Sequence, residues 1–234
     1  MSGLGESPTA IVTGASRGFG FELAKALAEC GWRLVVDARR ADALEAAAAE
    51  LRRAREVIAL PGDVADERHR RDLITAAGER IDLLVNNASV LGPSPQPALI
   101  DYPLAELERV YRVNVLSPLA LTQLALPHLS DGGAILNVTS DAAVEAYEDW
   151  GGYGSSKAAL DLLTAVFAAE HPDLRIYAVD PGDMRTQLHQ EAFPGEDISD
   201  RPPPQASVPG LLALIDSSLP SGRYRARELA AAAR

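Results

Sequence analysis

The chain of 234 residues holds one cysteine, Cys30, so no disulfide can form within it. Its four histidines, His69, His128, His171 and His189, are scattered without the spacing of a metal site, and no metal is expected. Positive charge is short: 22 Lys and Arg against 33 Asp and Glu leave a net charge of −11. Such a field repels a nucleic-acid backbone, so any anionic ligand has to be met by a local group of donors. No apolar run approaches the ~18 residues that a membrane span needs. The opening MSGLGESP also lacks the basic start and apolar stretch of a secretory signal. The expected setting is cytoplasmic, with a small molecule as ligand and neither nucleic acid nor membrane as partner. Residues 1–8 are expected to be a flexible terminus.

What is present is the composition of a soluble globular protein, 47% hydrophobic and 24% charged. The length suits one α/β unit with a full core, placed here at residues 9–234. Short β-branched runs occur at residues 9–12, 33–36, 56–60, 81–85, 134–138 and 175–179, and SGRYR offers a seventh. Each is apolar throughout, as a strand buried on both faces requires. Between them lie helical segments at 18–30, 42–53, 66–77, 104–126 and 153–170, with Gly31 and Gly78 at C-terminal cap positions. The alternation predicts parallel βαβ units. The fold is therefore read as α/β: a single-domain Rossmann fold, a doubly wound, mostly parallel sheet of about seven strands flanked by helices. The acidic, proline-rich stretch at 187–205 is expected to be a mobile loop over a substrate site. SVPGLLALIDSS reads as one more helix, and the tail ELAAAAR as a frayed helical turn.

The first strand runs into TGASRGFG, in which Gly14, Gly18 and Gly20 are spaced GxxxGxG before an apolar helix. Glycines let backbone approach a pyrophosphate, and a helix N-terminus offers unpaired N–H groups and the positive end of a dipole. Strand, glycine turn and helix together make a dinucleotide site, with Ser16, Arg17 and Phe19 inside the turn. The residues that close the second strand, DARR, point two ways. Asp37 falls near the position of a carboxylate that binds a ribose diol. Arg39 and Arg40 follow, and Arg17 can reach the same place, as a 2′-phosphate requires. NADP is favoured over NAD.

GGYGSSKAAL, residues 151–160, has the glycines and lysine of a phosphate loop but not its chemistry. Such a loop needs GK followed by Ser or Thr, whereas Lys157 follows Ser156 and precedes Ala158. Tyr153 and Lys157 lie four apart on a helix and so project as neighbours. An ammonium there favours the ionised phenol and is expected to lower its pKa, fitting Tyr153 for proton exchange with a substrate.

TGASRGFG, the NNA at 86–88, Ser140, the YxxSK formed by Tyr153, Ser156 and Lys157, and PGDMRT come in the order of the short-chain dehydrogenase/reductase family, which the chain resembles from about Thr9 to Thr186 in its compact form. The resemblance implies that Tyr153 is the general acid or base. It implies that Lys157 holds the nicotinamide ribose and tunes the phenol, that Ser140 hydrogen-bonds the substrate oxygen, and that Asn114 supports a water-mediated relay to the lysine. Pro118, four residues after Asn114, supports the last role, because proline has no N–H for the Asn114 carbonyl. The resemblance further assigns Asp63 and Val64 to the adenine, Asn87 and Ala88 to the cofactor beside the central strand, and Pro181, Gly182 and Thr186 to the nicotinamide and pyrophosphate. Ser89 departs from the family's usual NNAG, Phe19 from an aliphatic residue, and Met184 from a β-branched one. Val90, Leu91, Val144, Trp150 and Met184 are expected around the substrate.

Residues 115–126 and 157–169 are apolar nearly all round, so something must cover them. In the family the corresponding helices pair across a two-fold axis, which implies a homodimer or homotetramer. The expected activity is NADPH-dependent reduction of a carbonyl, or oxidation of a secondary alcohol, with Tyr153 moving the proton. The competing reading is a nucleotide-responsive binding or regulatory protein that keeps the fold without turnover. The intact set of Asn114, Ser140, Tyr153 and Lys157 argues for the enzyme.

Overall fold

The apolar runs become strands and the segments between them helices in a computed structural model that describes residues 7–232. The strands are β1 (Thr9–Val12), β2 (Arg33–Ala38), β3 (Val57–Pro61), β4 (Ile81–Asn86), β5 (Leu129–Val138), β6 (Arg175–Asp180) and β7 (Gly222–Arg225). The helices are α1 (Gly18–Glu29), α2 (Ala41–Leu51), α3 (Glu67–Ala77), α4 (Leu104–Tyr111), α5 (Ser117–Ala125), α6 (Gly151–Glu170), α7 (Gln187–Ala192), α8 (Val208–Asp216) and α9 (Ala226–Ala232). The strands form one seven-stranded sheet in the order β3-β2-β1-β4-β5-β6-β7, and every pairing is parallel. Most of the expected flexible N-terminus, residues 1–6, lies outside the described residues. Among the described residues no helix is long and apolar enough to cross a membrane.

Alternate residues of each strand serve opposite faces, and both faces are buried. Val12, Val36, Val85 and Leu136 pack under Leu23 and Leu27 of α1, Leu44 of α2 and Leu211 of α8. Ile11, Val35, Leu84 and Ile135 pack on the other side under Leu73 of α3 and Leu121 of α5, with Phe167 of α6 against them. Helices on both faces account for the unbroken apolar character of the strands.

Four local differences from the sequence expectation have identifiable causes. The single helix expected over 104–126 divides into α4 and α5 around a π-turn at Arg112–Leu116. Pro118 cannot donate to the Asn114 carbonyl, and Ser117 Oγ donates instead to the Arg112 carbonyl at 2.7 Å, so the ladder widens there. Strand β5 begins five residues earlier than its apolar run. Asp82 draws Ser130 in through a 2.7 Å hydrogen bond, and a register shift between Ile81 and Leu83 absorbs the extra chain. The stretch 187–205 is not wholly irregular, since Thr186 Oγ1 accepts from His189 N–H at 3.2 Å and caps the short α7. The tail forms α9, whose first residue, Ala226, is buried; a Cβ on Gly210 of α8 would lie 2.0 Å from its carbonyl oxygen.

A line of buried amides crosses the sheet toward α6. Asn86 Nδ2 donates to Asn137 Oδ1 at 2.8 Å, Asn137 Nδ2 to Thr164 Oγ1 at 2.8 Å, and Thr164 Oγ1 to the Leu160 carbonyl at 2.7 Å. Removing the middle member takes one hydrogen bond from a buried partner on each side and leaves a cavity between them. Asn137→Ala is expected to destabilise the protein by about 3 kcal/mol, read from the urea midpoint; a loss within experimental error would show that the line is not a structural tie.

Candidate active site

Strand order reverses between β1 and β4, and at such a switch point the loops leaving the two strands part to leave a crevice. A cavity of about 650 Å³ opens there, and every residue assigned to the cofactor from Gly14 through Thr186 lines it, as do Ser140, Tyr153 and Lys157. Asn114 is the exception among the expected site residues. It is fully buried behind the cavity wall.

The glycine turn is built for close backbone approach. Gly14 and Gly18 have φ of 68° and 58°, in the left-handed region, and a Cβ on Gly20 would lie 2.3 Å from Asn87 Nδ2. Asn87 ties β4 to this turn: its Nδ2 donates to the Thr13 carbonyl at 2.8 Å and to the Gly14 carbonyl at 3.2 Å. Thr13 Oγ1 accepts from the N–H groups of both Asn87 and Ala88 at 3.0 Å. Arg17 precedes α1 without a side-chain cap, and the first turn carries no acid. Its N–H groups and dipole therefore face the cavity available to an anion, which fits a dinucleotide pyrophosphate.

Asp37 does not present a free carboxylate. It is buried, with Oδ1 accepting from Gly14 N–H at 2.7 Å and Oδ2 3.0 Å from Nε2 of the buried His69. Burial raises its pKa, and the bonds from His69 and Gly14 work against that. Arg40 pairs with Asp42 at 2.8 Å and Arg17 with Gln187, whereas exposed Arg39 has no hydrogen-bond or ion-pair partner among the described residues. Asp63 Oδ1 accepts from Ala65 N–H at 2.8 Å, which shapes the turn after β3 beside buried Val64.

Tyr153 and Lys157 occupy the first two turns of α6, 6% and 2% exposed. Lys157 Nζ donates to the Val138 carbonyl at 2.8 Å and lies 5.6 Å from the Tyr153 ring centre. Ser140, just beyond β5, donates to Asp141 Oδ1 at 2.8 Å and accepts from Ala142 N–H at 3.2 Å. Its carbonyl accepts from Arg223, which also pairs with Asp161 of α6 at 2.9 Å. The Asn114 side chain makes four bonds, to Val90 N–H, the Val90 carbonyl, Ser89 and Ser156. It thereby joins the loop after β4 to α6.

The electrostatics differ from what the Tyr153–Lys157 spacing predicts. Burial pushes the phenol above its ordinary value, and the Ser89 and Ser140 hydroxyls offset part of that while Asp141 and Asp180 add to it. Burial likewise lowers Lys157 to about 8, with Asp161 opposing. Both groups are desolvated, and desolvation opposes charge on each. Val90, Leu91, Trp150 and Met184 line the cavity as expected, but Val144 does not and is 57% exposed. Sequence reasoning missed Thr13, Asp141 and Arg223, whose only signal was proximity to residues already chosen.

The lowered Lys157 has a consequence for stability. Between about 8 and its ordinary 10.5 the unfolded chain binds more protons, so this group's contribution to stability rises with pH across that window. Lys157→Met is expected to gain stability over the wild type at neutral pH, with the gap closing by on the order of 3 kcal/mol toward pH 10. Urea midpoints of the two proteins across pH measure it, and parallel curves would refute it.

A model of the short chain dehydrogenase family matches residues 8–197. The rhamnolipids biosynthesis 3-oxoacyl-[acyl-carrier-protein] reductase of Pseudomonas aeruginosa is 34% identical, over 96% of this chain and 86% of its own length. Sepiapterin reductase of Mus musculus is 33% identical over 78% of this chain and 76% of its own. A short chain dehydrogenase of Shigella flexneri, solved in complex with NADP, superposes with a TM-score of 0.87 at 27% identity, covering 94% of this chain and 97% of that one. With the seven-stranded parallel sheet and the glycine turn at its switch point, these matches establish the chain as a member of the short-chain dehydrogenase family of oxidoreductases.

Proposed function

We propose that the protein is an NADPH-dependent reductase of a small carbonyl compound, or in reverse a dehydrogenase that oxidises a secondary alcohol to a carbonyl with NADP+ as the hydride acceptor. The observation that carries this reading is the convergence of Tyr153, Ser140 and Lys157 in the cavity that the glycine turn opens. A nicotinamide held in this cavity would supply a hydride to the carbonyl carbon. Tyr153 donates its proton to the carbonyl oxygen, a step that a raised phenol pKa suits in the direction of reduction. Ser140 positions that oxygen. Lys157, held on the Val138 carbonyl, binds the nicotinamide ribose, and its 5.6 Å separation from the Tyr153 ring centre supports the developing phenolate.

Cofactor choice follows from Asp37 and Arg39 of DARR. Asp37 has both oxygens engaged within the protein, which withdraws the acid that a ribose diol needs, and Arg39 is the cation left to meet a 2′-phosphate, with Arg17 nearby. Gly14, Ser16, Gly18 and Gly20 hold the pyrophosphate, and Asp63 and Val64 the adenine. Leu91, Trp150, Met184 and Leu188 make an apolar wall for the substrate under α7, in the segment 187–205 that we assign as the substrate loop. Leu116, Leu162 and Val166 are exposed on the π-turn and α6, and a second copy of the chain covers them in a homodimer or homotetramer.

Tyr153→Phe is expected to lower kcat by ~10²-fold or more on whichever carbonyl of a ketone and aldehyde panel the wild type reduces, with NADPH affinity kept. Unchanged turnover would refute the assigned acid, and NADPH binding without turnover across the panel would favour a binding or regulatory protein. Arg39→Ala is expected to weaken NADPH binding about tenfold and leave NADH binding unchanged, by fluorescence titration. A wild type that prefers NADH would return the selection of cofactor to Asp37.

A further inference from the structure

Trp150, the residue just before α6, stands against the phenol of Tyr153. Its indole meets the Tyr153 ring edge to face, with centres 6.0 Å apart and planes at 74°. Tyr147 makes a second edge contact at 6.1 Å, and Phe193, just after α7, packs on the indole at 5.8 Å with planes tilted by 47°. The Trp150 carbonyl accepts from Gly154 N–H at 2.7 Å, so its backbone is tied into the start of α6. Asp149, immediately before it, is the one non-glycine residue with left-handed backbone among those described, at φ 65°. Its side chain is exposed and makes no hydrogen bond among the described residues that would favour that conformation. An L-residue takes such a φ where the surrounding structure holds it there, and these outliers gather where a side chain has to be aimed. Backbone and three rings thus converge on the placement of one indole.

That indole lines the cavity, as do Leu91, Met184, Leu188 and Ala192. Leu91, Leu188 and Ala192 pack with Trp150 around Tyr153 in one apolar cluster. A substrate whose carbonyl oxygen meets Tyr153 brings the groups on its carbonyl carbon to this cluster. A hydroxyl or a charge laid against that wall would lose water without gaining a partner. A flat ring gains most, because contacts between rings add to the area they bury, and a methionine thioether favours the same neighbour. We propose that Trp150 is the specificity-determining residue of this site and that it selects aryl ketones, in which the carbonyl carbon carries an aromatic ring. The inference rests on the reading of the protein as a carbonyl reductase with Tyr153 as the acid. The product is then a benzylic alcohol, formed as the carbonyl carbon takes the hydride of NADPH and its oxygen takes the Tyr153 proton.

Acetophenone and cyclohexyl methyl ketone are alike in size and apolar surface and differ in the aromatic ring that Trp150 would meet. Titrated calorimetrically into the full chain with NADP+, which cannot reduce either, acetophenone is expected to bind about fivefold tighter. Trp150→Leu is expected to abolish that difference and Trp150→Phe to keep most of it, both with NADP+ affinity unchanged. With NADPH, the ratio of kcat/KM for the two ketones, taken in each variant relative to the wild type so that their own reactivities cancel, is expected to fall by about the same factor in Trp150→Leu alone. Equal binding of the two ketones to the wild type overturns the proposal without any variant, and so does binding of neither. An aryl preference that survives in Trp150→Leu, or is lost equally in Trp150→Phe, also overturns it. A wild type that binds acetophenone with the stated preference yet reduces neither ketone refutes the reductase reading, and the titrations then decide the role of Trp150 by themselves.

Discussion

A carboxylate buried at the end of β2 holds the turn at the end of β1. Asp37 accepts the Gly14 N–H and leans on His69, whose ring packs where a Cβ on Gly62 would come within 2.2 Å. The turn has to sit in one place, because its glycines are in conformations and contacts that other residues cannot adopt. Asn87 and Thr13 grip it from the β4 side. With the turn fixed from both sides of the switch point, the N-terminus of α1 is aimed into the crevice. The same carboxylate thereby has both oxygens engaged within the protein.

The chemical end of the cavity depends on a second buried tie. Asn114 connects the loop after β4 to α6 through Val90 and Ser156, and Ser156 Oγ donates in turn to the Tyr153 carbonyl at 2.6 Å. Tyr153 is therefore anchored by its backbone while its ring faces the cavity. Deeper in, the Asn86–Asn137–Thr164 line joins the same helix to two strands. Networks of this kind strengthen one another in a low dielectric and hold a site to one geometry.

The price of that rigidity is desolvation, and it changes how the Tyr153–Lys157 pair works. In water an ammonium one helical turn away would simply lower a phenol's pKa. Here burial raises the phenol and lowers the lysine, so neither charge comes easily without a partner. The hydroxyls of Ser89 and Ser140, the ring contact with Lys157 and the repulsion from Asp141 then determine how the phenol behaves. Small polar groups near it gain influence that they would not have in solvent.

The sequence alone determined the sheet, because strands buried on both faces have to be apolar throughout, and helices between them have to lie on either side. It also determined the glycine turn and the pairing of Tyr153 with Lys157, since those depend on backbone freedom and helical spacing, which are local, while Ser140 was legible only through the family resemblance. The break of the long helix at Asn114 was half legible in Pro118. Only the tertiary structure decided the early start of β5, where Asp82 pulls in Ser130, and the docking of α9 onto Gly210. It alone showed that Asp37 is committed to Gly14, that Ser89 donates to Asn114, and that Tyr153 is shifted upward. Each of these depends on which distant groups share a buried volume, and neither hydrogen-bond partners nor local dielectric can be read from spacing along the chain.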